Sequence, residues 1–212
     1  MGGAMSVVLF GSTSGSVTLQ EPAVAGTTVL TLPTTSGTIL TTGSSGQSIP
    51  RAALPAGSVL QVVSTTKTDT FTTTSTTDVA ITGLSATITP TSSTSKILIL
   101  VNVGASGTTI DDYTVYLSLY RSASVITGAI GNTAGSRKVC SSAQRTGSSV
   151  RYSSMSIMHQ DSPASTSSLT YACYAAMESG GGTACINRSG DDSDIASRPR
   201  TISSITVMEI AA

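Results

Sequence analysis

The chain contains no tryptophan, one histidine, three cysteines and few charges, and each shortage closes off a class of function. Aromatic residues are 4% of the sequence, too few for the stacked sugar platforms of a polysaccharide-cleaving enzyme. Glu21, Glu178 and Glu209 lie in unrelated stretches and offer no glycosidase acid pair. His159 has Ser156 and Asp161 as neighbours, but residues this close on one strand do not converge as a catalytic triad, whose members come from separate elements. The expectation is therefore no enzyme, no catalytic residue and no cofactor. Cys140, Cys173 and Cys185 are odd in number and form no Cys-x-x-Cys pair, so neither a zinc site nor a disulfide scaffold is called for. One pairing stays open: if Gly180-Gly-Gly182 closes a hairpin, Cys173 and Cys185 stand opposite each other.

Charged residues are 10% of the chain and balance at 11 basic against 11 acidic. The basic ones are scattered, apart from Arg137-Lys138 and Arg198-Pro-Arg200, which is no electrostatic footprint for nucleic acid. The longest apolar run, Ile97 to Val101, is too short to span a bilayer, so membrane insertion is not expected. Met1 to Phe10 lacks the basic start of a signal peptide. Met1-Gly-Gly-Ala-Met-Ser6 formally fits a myristoylation pattern, a match set down to chance because the modification needs a eukaryotic-type transferase, and the Gly-rich start reads as a flexible attachment arm. Asn187-Arg-Ser189 fits a glycosylation sequon, which without a secretory signal carries no weight.

What fills the chain instead is hydroxyl: Ser and Thr supply roughly a third of the positions. With 39% hydrophobic residues and so little charge, much of the surface is expected to be covered by subunit contacts. The N-terminal stretch repeats itself. Gly15, Gly26 and Gly37 are evenly spaced, each opening a short β-rich segment, and Pro22 and Pro33 keep the same interval. Glycine tolerates a corner and proline ends a ladder, so residues 1–43 read as a β-repeat segment. Residues 44–57, with two prolines and no alternation, read as a linker, and residues 58–212 as the main domain.

From Ser58 onward no helical period is sustained. Strands are expected near Val59–Ser64, Asp69–Thr74, Ala86–Ile88, Lys96–Val103, Tyr113–Arg121, Arg137–Ser142, Val150–His159, Leu169–Met177, Thr183–Asn187 and Ile202–Ile210. That number suits an antiparallel two-sheet sandwich. Ile97 to Val101 is apolar on both faces, which places it centrally or under a neighbouring subunit. Gly104-Ala-Ser-Gly107 and Gly180-Gly-Gly182 read as tight turns rather than phosphate cradles.

One local constellation invites a metal. Asn187-Arg-Ser-Gly-Asp191-Asp192-Ser-Asp194 gathers the oxygen donors calcium prefers, with Asp191, Asp192 and Asp194 as weak candidate ligands. It lacks an EF-hand's glycine and terminal glutamate, and Arg188, Arg198 and Arg200 stand ready to neutralise it, so a salt-bridged turn is preferred. Asp111-Asp112 reads likewise as a turn.

Two stretches carry a resemblance. Gly15-Ser-Val-Thr-Leu-x-x-Pro with Ala25-Gly-Thr, Leu32-Pro33 and Gly37-Thr-Ile-Leu-Thr41 resembles a segment of bacteriophage tail-fibre and other virion proteins. Ile81 to Pro90, Ser95 to Val101, Asn187 to Asp194 and Ser203 to Ala212 are similar to the C-terminal β domain of phage fibre-like proteins. The resemblance implies an all-β virion protein made in the bacterial host cytoplasm, a homotrimer with a jelly-roll-like sandwich. Under the first reading it is a tail-fibre or receptor-binding component, touching host surface glycan or protein through loops Gly104–Asp112, Ala143–Ser149 and Asn187–Arg200, with Asp111, Asp112, Asn187, Arg188 and Arg198 as surface-binding residues. Under the alternative it is a capsid decoration protein whose residues 1–43 bind other virion proteins of the shell.

Overall fold

Runs of β-branched and hydroxyl residues, broken by Gly, Ser, Asp and Pro, fold into strands with no α-helix among the described residues. The computed structural model describes Leu54–Ala212, Val7–Phe10, Ser16–Leu19 and Thr13. Two compact units divide the chain, Met1–Ser48 and Ile49–Ala212. In the first, β1 (Val7–Phe10) pairs antiparallel with β2 (Ser16–Leu19), Val7 opposite Leu19. β2 is the strand of the first glycine-opened repeat; the remainder of the repeat and the linker through Ala53 lie outside the described residues.

The second unit holds β3 (Val59–Lys67), β4 (Phe71–Thr73), β5 (Val79–Ile88), β6 (Lys96–Thr108), β7 (Tyr113–Arg121), β8 (Ser124–Val125), β9 (Ser142–Thr146), β10 (Ser153–Asp161), β11 (Leu169–Met177), β12 (Ala184–Ile186) and β13 (Ser203–Ile210). All pairings are antiparallel, and they sort into two sheets. Several short strands are segments of one row. β12 and β13 pair with the same edge of β6, Ile186 opposite Ser106 and Ser203 opposite Val103, so they form a single row interrupted by an excursion over residues 188–202. β3 and β4 continue each other alongside them. β8 and β9 share one edge of β7 in the same way, with residues 126–141 as the excursion and a short 3-10 turn at Thr127–Ala129 within it.

Counted as rows in chain order, one sheet therefore runs 1-8-3-6 and the other 2-7-4-5, which is jelly-roll order. The expected all-β antiparallel sandwich is what the chain adopts. Its core lies between the sheets, where Ile97, Ile99 and Val101 of β6 meet Leu117 and Leu119 of β7 and Tyr171 of β11, all at most 2% exposed. Fully burying each such aliphatic side chain contributes about 1.5–3 kcal/mol. β5 has to bulge to join in, because Ile81 and Leu84 both face the core; Gly83, at φ +80°, supplies the kink.

Local sequence misled in four places. Gly104 to Gly107 is no turn but part of β6, and Gly104 is needed there because a Cβ would collide with the Ile202 carbonyl. Arg137–Ser141 is excursion rather than strand, whereas Ala143–Thr146, read as loop, is strand β9. Val79–Ser85 extends β5 far before its expected start. Cys173 and Cys185 do not face each other across a hairpin, since β11 and β12 belong to different sheets; all three cysteines are free, and burial pushes the Cys173 thiol up to about 12.

The two ends of the sandwich differ. At one end the last strand buries Glu209, 0% exposed, and its carboxylate accepts from Gln61 Nε2 at 2.6 Å, Thr91 N at 2.6 Å, Thr91 Oγ1 at 2.7 Å and Ser95 Oγ at 2.7 Å. These bonds pin the β5–β6 connection. Burial acts to raise the Glu209 pKa, but the donors outweigh it and hold the group below its ordinary 4.5. A depressed carboxylate stabilises the fold above its unfolded pKa, and that contribution is lost as pH falls through the folded value. Glu209→Gln, which puts an amide among donors, is expected to cost about 2–3 kcal/mol at neutral pH and to flatten the acid limb of stability below pH 4.5, both read from urea unfolding across pH.

Candidate functional site

The opposite end is built of loops. Strands β6, β9 and β11 finish there and β7, β10 and β12 begin there, so the connections Thr109–Asp112, Gly147–Tyr152 and Glu178–Thr183 crowd together. The 188–202 excursion joins them: Asp191 N donates to Ser149 O at 2.8 Å, and Gly190 passes so close to the Thr108 carbonyl that no Cβ would fit between them. Asp111 Oδ1 accepts from Ser149 N at 2.6 Å, which ties the first loop to the second. The three loops expected to carry binding thus lie together, although the first is only its Thr109–Asp112 portion and the second only its Gly147–Ser149 portion.

Asn187 is the hinge of the arrangement and not a surface residue. It is fully buried, with φ +65°, a conformation Asn tolerates better than most side chains. Its Nδ2 donates to Lys67 O at 3.1 Å and Asp69 O at 2.8 Å, while Oδ1 accepts from Ser203 Oγ at 2.6 Å. Its backbone N–H reaches Ala105 O at 2.7 Å, and its carbonyl accepts from Thr201 N at 3.2 Å, closing the base of the excursion. One residue, through its side chain and its backbone N–H, thereby ties three rows of the sheet together where the last row breaks.

The acidic stretch beyond it is neutralised by arginine. Asp191 Oδ2 accepts from Arg198 Nε at 3.0 Å, and Oδ1 from Ser193 N and Oγ at 3.1 and 2.6 Å. Asp192 takes Arg200 and, at 3.5 Å, Arg188. The Ser193 bonds and then Arg198 lower the Asp191 pKa; Arg200 does the same for Asp192. Asp194 is exposed and makes no ion pair among the described residues, where no metal-sized cluster of acidic, Cys or His side chains occurs. Arg188 and Arg198 are largely covered, with side chains 13% and 15% exposed, because they brace the excursion rather than point outward.

The exposed surface of this end is an open cleft of about 570 Å³ lined by Arg145, Thr146, Val150, Arg151, Tyr152 and Ser197 among others. Arg145 reaches Glu178 at 3.2 Å and Asp112 at 4.0 Å, and Glu178 also accepts from Thr114 N at 2.9 Å. Arg151 has no carboxylate within ion-pairing distance among the described residues, and Tyr152 is 39% exposed. Sequence reasoning passed over Arg145, Arg151, Tyr152 and Glu178. The available signal was the stretch Arg145-Thr-Gly-Ser-Ser-Val-Arg-Tyr152, which puts a cation on each shoulder of a glycine turn in a chain short of charge.

Among the described residues no triad forms around His159. Ser156 and His159 lie on opposite faces of β10, and Asp161 accepts instead from Arg121 Nη1 at 2.6 Å and Tyr171 Oη at 2.7 Å. These bonds clamp one sheet to the other. No protein-family model matches the chain, and no curated protein matches it.

Removing the hinge should release the loops from the sheet. Asn187→Ala strands the Lys67 and Asp69 carbonyls and is expected to cost about 3 kcal/mol in chemical unfolding. Asn187→Asp should be no rescue, since a carboxylate has no donor for those carbonyls, and equal stability of Asn187→Ala and the parent chain would refute the assignment.

Proposed function

We propose that the chain is a non-enzymatic structural component of a bacteriophage particle, a homotrimeric tail-fibre or receptor-binding protein that meets the host surface through the loop end of its sandwich. The observation that carries this reading is an open cleft on a rigid jelly roll, lined by the Gly147–Tyr152 connection and by Ser197 of the 188–202 excursion, the usual way a scaffold presents a binding surface. The cleft suits a polyhydroxyl ligand bearing an anionic group. The Arg151 guanidinium, without a carboxylate partner among the described residues, takes a carboxylate or phosphate, Tyr152 offers a ring to the apolar face of a sugar, and Ser153 and Ser197 add hydroxyls beside them. Residues 1–43 are then the part that joins other virion proteins, which gives one chain an attachment segment and a recognition head.

Antibody raised against the chain and used for gold labelling of intact particles should decorate the tail tip. Labelling spread over the capsid shell would replace this reading with that of a decoration protein. With the host in hand, Arg151→Ala combined with Tyr152→Ala should weaken adsorption of the purified full chain to host cells by about tenfold or more.

A further inference from the structure

Charge at the loop end is close to balance but unevenly paired. The Thr109–Asp112, Gly147–Tyr152 and Glu178–Thr183 connections and the 188–202 excursion, with Arg145 beside them, carry six carboxylates and five guanidiniums. Four of the arginines are occupied by carboxylates: Arg145 by Glu178 and Asp112, Arg188 and Arg200 by Asp192, and Arg198 by Asp191. Arg151 is the fifth, with no carboxylate in ion-pairing distance among the described residues.

Gly147 lines the cleft beside Arg151. A Cβ at that position would stand 3.9 Å from Arg151 Nη1 and 3.8 Å from Asp112 Oδ1, so the guanidinium and the carboxylate border one small space. They form no ion pair across it; the exposed Asp112 carboxylate lies 4.0 Å from Arg145 Nε instead. The missing side chain of Gly147 thus keeps a gap open between a donor and an acceptor, and one sugar ring can span it.

We propose that the cleft selects a sugar bearing a single carboxylate, a uronic-acid unit of an otherwise neutral glycan, with its carboxylate on Arg151, a ring hydroxyl donating to Asp112 and the ring over Gly147. The proposal rests on the reading of the loop end as the host-binding surface. A guanidinium meets a carboxylate through two parallel N–H···O bonds and matches one charge with one. A phosphate monoester brings close to two charges near neutral pH; Arg151 compensates one, and Asp112 alongside repels the other. A polyanion fares worse, because beyond Arg151 its further charges meet a surface with more carboxylates than guanidiniums. Asp112 offers an acceptor that a bare anion cannot use and a sugar hydroxyl can. A direct Arg151–Asp112 contact in the free protein would be an exposed pair of little worth, displaced by a ligand that satisfies both groups.

Saturation-transfer NMR titrations of the purified full chain test this with the methyl glycosides of glucuronic, galacturonic and mannuronic acid, their neutral parent glycosides and the parent sugar 6-phosphates. At least one uronide should bind about tenfold or more tightly than its neutral parent and its 6-phosphate, and long-chain polyphosphate should not displace it. Arg151→Ala should remove that binding. Gly147→Leu should remove it too, with unchanged circular dichroism, because the new side chain fills the gap from a backbone position without positive φ. Asp112→Asn, at φ +59° where Asn is equally at home, should keep the uronide and tighten the 6-phosphate about threefold or more, which a purely structural Asp112 would not do. A 6-phosphate that binds as tightly as the uronide, or polyphosphate that displaces it, would overturn the selectivity and leave host recognition at this end standing. No uronide binding, with adsorption to host cells still lost in the chain carrying Arg151→Ala and Tyr152→Ala, would also overturn this inference alone. No binding of any sugar, with adsorption untouched by that double change, would overturn both.

Discussion

Pairing of β6 along both of its edges is the constraint on which the rest of the domain depends. One edge of this strand is taken by β10 throughout, and the other is shared end to end by β13 and β12. Its inward side chains, Ile97, Ile99, Val101 and Val103, form the centre of the core. A strand held this way has no freedom of register, because slipping one residue would turn its whole apolar set outward. Everything placed along it inherits that precision, including the point where the last row breaks and the excursion leaves. Gly104 and the buried Asn187 amide occupy that point from the two sides.

The two ends of the sandwich are built differently, one closed around a buried carboxylate and one made of crowded, partly exposed loops. Around Glu209, four hydrogen bonds compensate a buried carboxylate that no cation accompanies among the described residues, and they fix the loop that supplies Thr91 and Ser95. At the other end the charges are mostly half-exposed and paired in chains, Arg145 with Glu178 and Asp112, Arg188 and Arg200 with Asp192. Such pairs add little to stability but set the potential of a surface. The 188–202 excursion belongs to both regimes, rigid at its Asn187 base and exposed beyond it.

Strand positions were legible wherever alternation was clean. Tyr113–Arg121 and Leu169–Met177 were read with their observed bounds. Legibility failed where glycine or hydroxyl residues stand inside a strand: Gly83 hid the first part of β5, and Gly104 to Gly107 looked like a turn because small residues are also what a tightly packed strand needs beside a crossing backbone. The continuity of β12 with β13 was not legible at all, since it depends on which row each joins and not on local pattern. In the acidic stretch Asp191 and Asp192 pair with arginines as the sequence suggested while Asp194 does not, and Asn187 was taken for a surface residue because polar sequence does not distinguish a solvated amide from a buried clamp. Arg151 and Tyr152 were passed over because the cleft they line forms only when the chain is folded.

Native-state hydrogen exchange tests the central claim, that β12 and β13 are one row locked to β6 on both sides of the break. The amides of Asn187, Gly104 and Ile205 should exchange only on global unfolding, while those of Ser193 and Ser148 a few residues away exchange within the loop. Asn187 and Gly104 exchanging as fast as Ser193 would contradict it, showing the break to be an open end and the excursion a loose loop between two separate strands.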